Sequence, residues 1–114
     1  MKRIFISGKL DADNAVKYLQ NVHEMMCAAE FIKSRGYSVY VPCIDLLMGI
    51  KFGYENYNDY FDNSQPWLEV SDAVYVIPGS ENSKGTQREI EHAEKNNISV
   101  YYNCTDLLKN EKAN

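Results

Sequence analysis

Apolar positions along this 114-residue chain follow two alternating periods. Four short runs rich in β-branched and aromatic residues, Lys2–Ser7, Tyr37–Val41, Ala73–Ile77 and Ile98–Tyr102, have the length and make-up of strands. Between the first two, Val22, Met25, Met26, Ala29 and Ile32 recur at i, i+3, i+4, i+7 and i+10. That is one face of an amphipathic helix, and Gly36 stands where a helix commonly ends. Residues 9–20 are polar and mixed, with residues 11–14 reading as a turn. Ser64-Gln65-Pro66-Trp67-Leu68 reads as the start of a short helix, Ser64 capping it and Pro66 in its first turn. Residues 86–96 carry a further helical stretch.

Strands alternating with helical crossovers predict a mostly parallel sheet covered on both faces. The expected architecture is therefore α/β, a three-layer Rossmann-like or flavodoxin-like domain with four or five strands. Right-handed crossovers favour the order 2-1-3-4, which puts a ligand site above the carboxyl ends of strands 1 and 3. One domain is expected over residues 1–108, followed by a frayed polar tail at residues 109–114. The aromatic segment, with Phe52, Tyr54, Tyr57, Tyr60 and Phe61 in twelve residues, has three readings. It can pack internally, bury an interface between copies of the chain, or supply one or two rings on which a nucleobase stacks.

The net charge of −4 comes without any basic cluster, which argues against a nucleic-acid polymer as partner but leaves a free nucleotide open. No apolar stretch is long enough for a membrane span or a signal peptide. Cys27, Cys43 and Cys104 are odd in number and far apart, and no cysteine or histidine has metal-ligand spacing. A cytoplasmic protein with reduced thiols is expected, with no metal and no cofactor.

The densest chemistry follows the third strand, in Ser83-Lys84-Gly85-Thr86-Gln87-Arg88-Glu89. A glycine-bearing loop that opens a helix offers backbone N–H groups to an anion, and Glu89 places a carboxylate nearby. The same residues have a purely structural reading. Thr86-x-x-Glu89 fits a capping box, with the helix starting at Thr86 and Glu89 bonding back to its cap. If Ser83 is the cap instead, the Glu89 carboxylate is free for chemistry. Spacing alone leaves both open.

The chain resembles the nucleoside 2-deoxyribosyltransferase-like superfamily, which includes deoxynucleotide N-hydrolases and small bacterial and phage relatives. Four segments carry the likeness: Ile4-Phe5-Ile6-Ser7-Gly8, residues 31–42 around Gly36, Trp67–Val74, and Ser83–Glu89. The resemblance implies an N-glycosidic bond enzyme acting on 2′-deoxynucleosides or their 5′-monophosphates, by deoxyribosyl transfer or hydrolysis. Glu89 would be its nucleophile toward C1′, and Ser83, Gly85 and Thr86 would hold the sugar-phosphate end. Ser7 and Gly8 would line the deoxyribose, and the protein would be a dimer or larger homo-oligomer. In one respect the chain departs from the family pattern. Ser64 stands where the family commonly carries an aspartate facing the sugar, and Asp62, two residues earlier, is the nearest substitute. That departure admits an alternative, a non-catalytic nucleotide-binding or sensing domain on the same fold.

Overall fold

The computed structural model describes residues 1–113, apart from the side chains of Ile44 and Leu46. The chain order is β1 (Arg3–Ser7), α1 (Ala15–Ser34), β2 (Ser38–Tyr40), a 3₁₀ turn (Pro42–Ile44), α2 (Asp45–Phe52), α3 (Tyr57–Glu69), β3 (Ala73–Val76), α4 (Lys84–Lys95), β4 (Ser99–Tyr101) and α5 (Cys104–Asn110). Four strands form one all-parallel sheet in the order β2-β1-β3-β4. The fold is thus the expected α/β sandwich, with the crossover point between β1 and β3.

Strand periodicity divides the core in two. Ile4 and Ile6 of β1 and Tyr75 of β3 join Met25, Ala29 and Ile32 of α1 and Leu107 of α5 on one face. Phe5 of β1 and Val74 and Val76 of β3 join Leu68 of α3 and Ala93 of α4 on the other. Because side chains alternate along a strand, Ser7 shares a face with Phe5 and is directed to the α4 side. This parity brings a strand residue to α4.

α1 begins earlier than its apolar stripe suggests. Asn14 caps it, its Oδ1 accepting from Lys17 N–H at 2.9 Å. Of the methionine pair expected in the core, Met25 is buried and Met26 is exposed. Gly36 follows the helix with φ +99°, a conformation that glycine adopts without steric penalty.

α3 corrects the reading of Ser64 as a helix cap. The helix starts at Tyr57, after Asn56, with Asp59 accepting from the Asn56 N–H at 3.4 Å. Ser64 lies buried in the middle of the helix, and Pro66 sits inside it. Burial of Phe61 and Leu68 on the inner face offsets the proline, which costs about 3 kcal/mol in a helix interior.

Toward the end of the chain α5 runs on to Asn110. The expected boundary at residue 108 falls inside α5, and Glu111 is pinned by three contacts. Its carboxylate accepts from Lys2 at 3.1 Å and from Tyr101 at 2.7 Å, and its carbonyl accepts from the Tyr37 hydroxyl. Asn114, the last residue of the expected tail, lies outside the described residues. Among those residues, no helix is long and apolar enough to cross a membrane.

Candidate active site

β1 and β3 run side by side in register, Ser7 opposite Val76, and their carboxyl ends feed two loops. Those loops are tied together: Lys9 N–H donates to Ser80 Oγ at 3.0 Å, and Ile77 N–H donates to Ser7 O at 2.8 Å. Gly8 has no room for a side chain, since a Cβ there would stand 2.7 Å from Ile77 Cγ1. Above this floor opens a cavity of about 740 Å³, within the range of small-molecule sites.

α4 begins at Lys84 with Ser83 as its N-cap, so Glu89 lies in the second turn. This rules out the capping-box reading. The Glu89 carboxyl instead accepts a hydrogen bond from Ser7 Oγ at 2.5 Å across the two elements. Glu89 is only 7% exposed, lines the cavity, and makes no further hydrogen bond to a described residue. Burial pushes its carboxyl from the usual carboxylate range up to about 7, and the Ser7 hydroxyl pulls in the opposite direction. A carboxyl raised toward neutrality by burial in a cavity marks a candidate functional group.

Of the residues singled out in the sequence, Gly8, Ser64, Ser83, Gly85 and Glu89 line this cavity. Three do not. Ser7 stands behind Glu89 and holds it, fully buried, instead of facing the cavity. Thr86 is also buried, its hydroxyl enclosed and without a hydrogen-bond partner among the described residues. Asp62 is exposed on α3 and turned away from the site, because it lies on another face of that helix than Ser64. Ser64 itself is 3% exposed, with Oγ on the Phe61 carbonyl at 3.4 Å.

The aromatic segment divides its duties. Tyr57, Tyr60 and Phe61 line the cavity, joined by Tyr18 from α1, whereas Tyr54 does not. Tyr57 closes against the start of α4. Its hydroxyl donates to Gly85 O at 3.1 Å, and a Cβ on Gly85 would press within 3.0 Å of its ring. Burial raises the Tyr57 phenol, the Glu89 charge raises it further, and Arg88 acts in the opposite sense. Arg88 lies over the Phe61 ring at 4.0 Å and donates to Asn58 Oδ1 at 2.5 Å. Sequence reasoning passed over Tyr18 and Arg88. Arg88 was legible as the neighbour of Glu89, one helical step toward α3, but Tyr18 lies in a stretch read as irregular. His92 packs edge-on against Phe61 and lies 3.3 Å from Glu69. Among the described residues no cluster of His, Cys, Asp and Glu could hold a metal.

A solved structure of a 2-deoxyribosyltransferase from the psychrotolerant bacterium Bacillus psychrosaccharolyticus has the same fold. The TM-score is 0.66 at 16% sequence identity, over 86% of this chain and 69% of that one. No curated protein matches the sequence. The model of one family, Domain of unknown function (DUF4406), matches residues 2–102, nearly the whole chain, and the protein belongs to that family.

Proposed function

We propose that this protein is an N-glycosidic bond enzyme acting on 2′-deoxynucleosides or their 5′-monophosphates, by deoxyribosyl transfer or by hydrolysis. The observation that carries the reading is Glu89, a buried carboxyl in a cavity above the carboxyl ends of β1 and β3, steadied by Ser7. The fold shared with a 2-deoxyribosyltransferase supports it. In this reading a Glu89 oxygen attacks C1′ as the base departs with the electron pair of the C1′–N bond. Water or a second base then opens the glycosyl ester. A carboxylate beside C1′ stabilises the oxocarbenium-like transition state and then traps the sugar covalently. Gly8 lets the sugar approach β1 closely, and Ser83 with the first N–H groups of α4 meets the 5′ end, where a helix start favours an anion.

The experiment is incubation with a panel of deoxynucleosides and deoxynucleoside monophosphates, with and without a second free base. Chromatography is expected to show base release or exchange. Ser64 favours a second reading, a nucleotide-sensing domain, because a buried serine cannot exchange protons near neutral pH as a carboxyl does. Binding without release from any substrate would establish that reading in place of the first.

Self-association belongs to the same proposal. Leu47, Ile50 and Phe52 stand exposed on α2, an apolar surface that a second copy would cover. Sedimentation at micromolar concentration is expected to give a dimer or larger species, and a lone monomer would remove this part.

A further inference from the structure

We propose that the cavity takes an N-glycoside whose base already carries a positive charge, so that the base leaves C1′ as a neutral molecule and needs no proton from the protein. The proposal deepens the glycosidic reading and rests on Glu89 as nucleophile.

The first support is the missing acid. A neutral nucleobase departs as an anion unless a group on the protein protonates it, and such general acids contribute about 10²- to 10⁴-fold to the rate. Ser64, which lines the cavity, has its hydroxyl buried and turned onto the Phe61 carbonyl, and a serine hydroxyl is no acid near neutral pH. Asp62 is outside the cavity. Among the described residues lining the cavity, Glu89 is the one buried carboxyl, and bonding to C1′ occupies it. Asp11, Glu55 and Asp59 stand exposed at the mouth, where water surrounds them.

The second support is the character of the lining. Its four carboxyl side chains, Asp11, Glu55, Asp59 and Glu89, outnumber its two cations, Lys84 and Arg88. Arg88 is also drawn off onto Phe61 and Asn58. The remaining walls include the rings of Tyr18, Tyr57 and Tyr60. Aromatic faces attract cations, more strongly when water is excluded. Carboxylates and ring faces together suit a positively charged, flat heterocycle better than a neutral one.

The chemistry balances without a further reactant. An oxygen of ionised Glu89 bonds to C1′, the C1′–N bond breaks, and its electron pair neutralises the ring nitrogen. A carboxylate and a cationic glycoside become a neutral ester and a neutral base. Water then attacks C1′, Glu89 leaves as carboxylate, and one proton passes to solvent per turnover.

The test compares 2′-deoxyguanosine with 7-methyl-2′-deoxyguanosine, which differ by the one methyl that charges the ring, at pH 6.5 with the wild-type protein. Nicotinamide 2′-deoxyriboside serves as a second cationic probe. Each rate is divided by that of the uncatalysed reaction, because charged bases are intrinsically better leaving groups. The expected enhancement is at least about a hundredfold greater for the cationic member of the pair, the low end of what a general acid contributes. A pH-stat should record one proton per base released. Ser64→Asp should raise turnover of 2′-deoxyguanosine and leave that of its methylated partner unimproved. Equal enhancement for both members of the pair overturns the proposal, and if Glu89→Gln silences both, the glycosidic reading survives it. No release from any of the three substrates overturns both.

Discussion

Glu89→Gln is expected to abolish base release from every substrate while making the folded protein more stable at pH 8. The loss of activity follows from chemistry. An amide oxygen is a poor nucleophile and brings no charge to an oxocarbenium-like centre. The gain in stability follows from burial. An unfolded glutamate ionises near 4.5, but in the fold the Glu89 carboxyl holds its proton to about 7. As pH rises from 4.5 toward 7, the unfolded chain gives up this proton first, so Glu89 progressively destabilises the fold. The full penalty is present above 7. By linkage a shift of this size is on the order of 3 kcal/mol. Glutamine keeps an acceptor for the Ser7 hydroxyl and carries no charge, so most of that penalty disappears, less what burying an amide costs. Thermal melts of both proteins at pH 5 and pH 8 would measure it. The variant should melt higher at pH 8, with the difference shrinking at pH 5. Equal melting temperatures at pH 8 would mean that Glu89 is ionised in the fold without strain, and the reading of a buried, poised carboxyl would fall.

A residue that lowers stability where it serves function is the pattern expected at a working site. The same contrast explains what could be read in advance here. Strand and helix periods are repeated many times along the chain. The four-stranded parallel sheet and its order were therefore legible from Ile4, Ile6, Val74 and Val76 against the stripe of Met25, Ala29 and Ile32. Single-residue signals fared less well. Ser64-Gln65-Pro66 has the look of a helix start, yet the start lies at Asn56, because Asn56-x-x-Asp59 forms its own reciprocal cap. A buried apolar face then carries α3 on through Pro66. Thr86-Gln87-Arg88-Glu89 fits a capping box by spacing, but Ser83 caps α4 and Glu89 turns to β1 instead. That contact joins residues 82 positions apart, and no local pattern encodes it. The parity of β1 does, once the sheet is known: Phe5 on the α4 face puts Ser7 there too. α2 and α5 were not read at all. α2 leaves Leu47, Ile50 and Phe52 exposed, so it has no clean apolar stripe, and α5 is only seven residues long.

Ser7 is the residue whose role changed most between sequence and structure, and it sets the second large effect. The family resemblance implies that it lines the sugar; in the fold it is fully buried and its hydroxyl donates to Glu89. A hydrogen bond to a buried carboxylate is charge-assisted, worth about 1.5–3 kcal/mol. Ser7→Ala removes it from the ionised form, so the Glu89 carboxyl should move up by about one to two units from its value near 7. Activity requires the carboxylate, and the rising limb of kcat/KM against pH should shift upward by the same amount. At pH 7 the variant should be slower by about 5- to 50-fold, with much of the loss recovered at pH 9. A serine that bound the sugar would behave otherwise, raising KM by a similar factor at every pH and leaving the limb in place. The pH profile of kcat/KM separates the two roles in one series of measurements. A limb unmoved in Ser7→Ala would show that Glu89 is not held in its working state by the strand beside it.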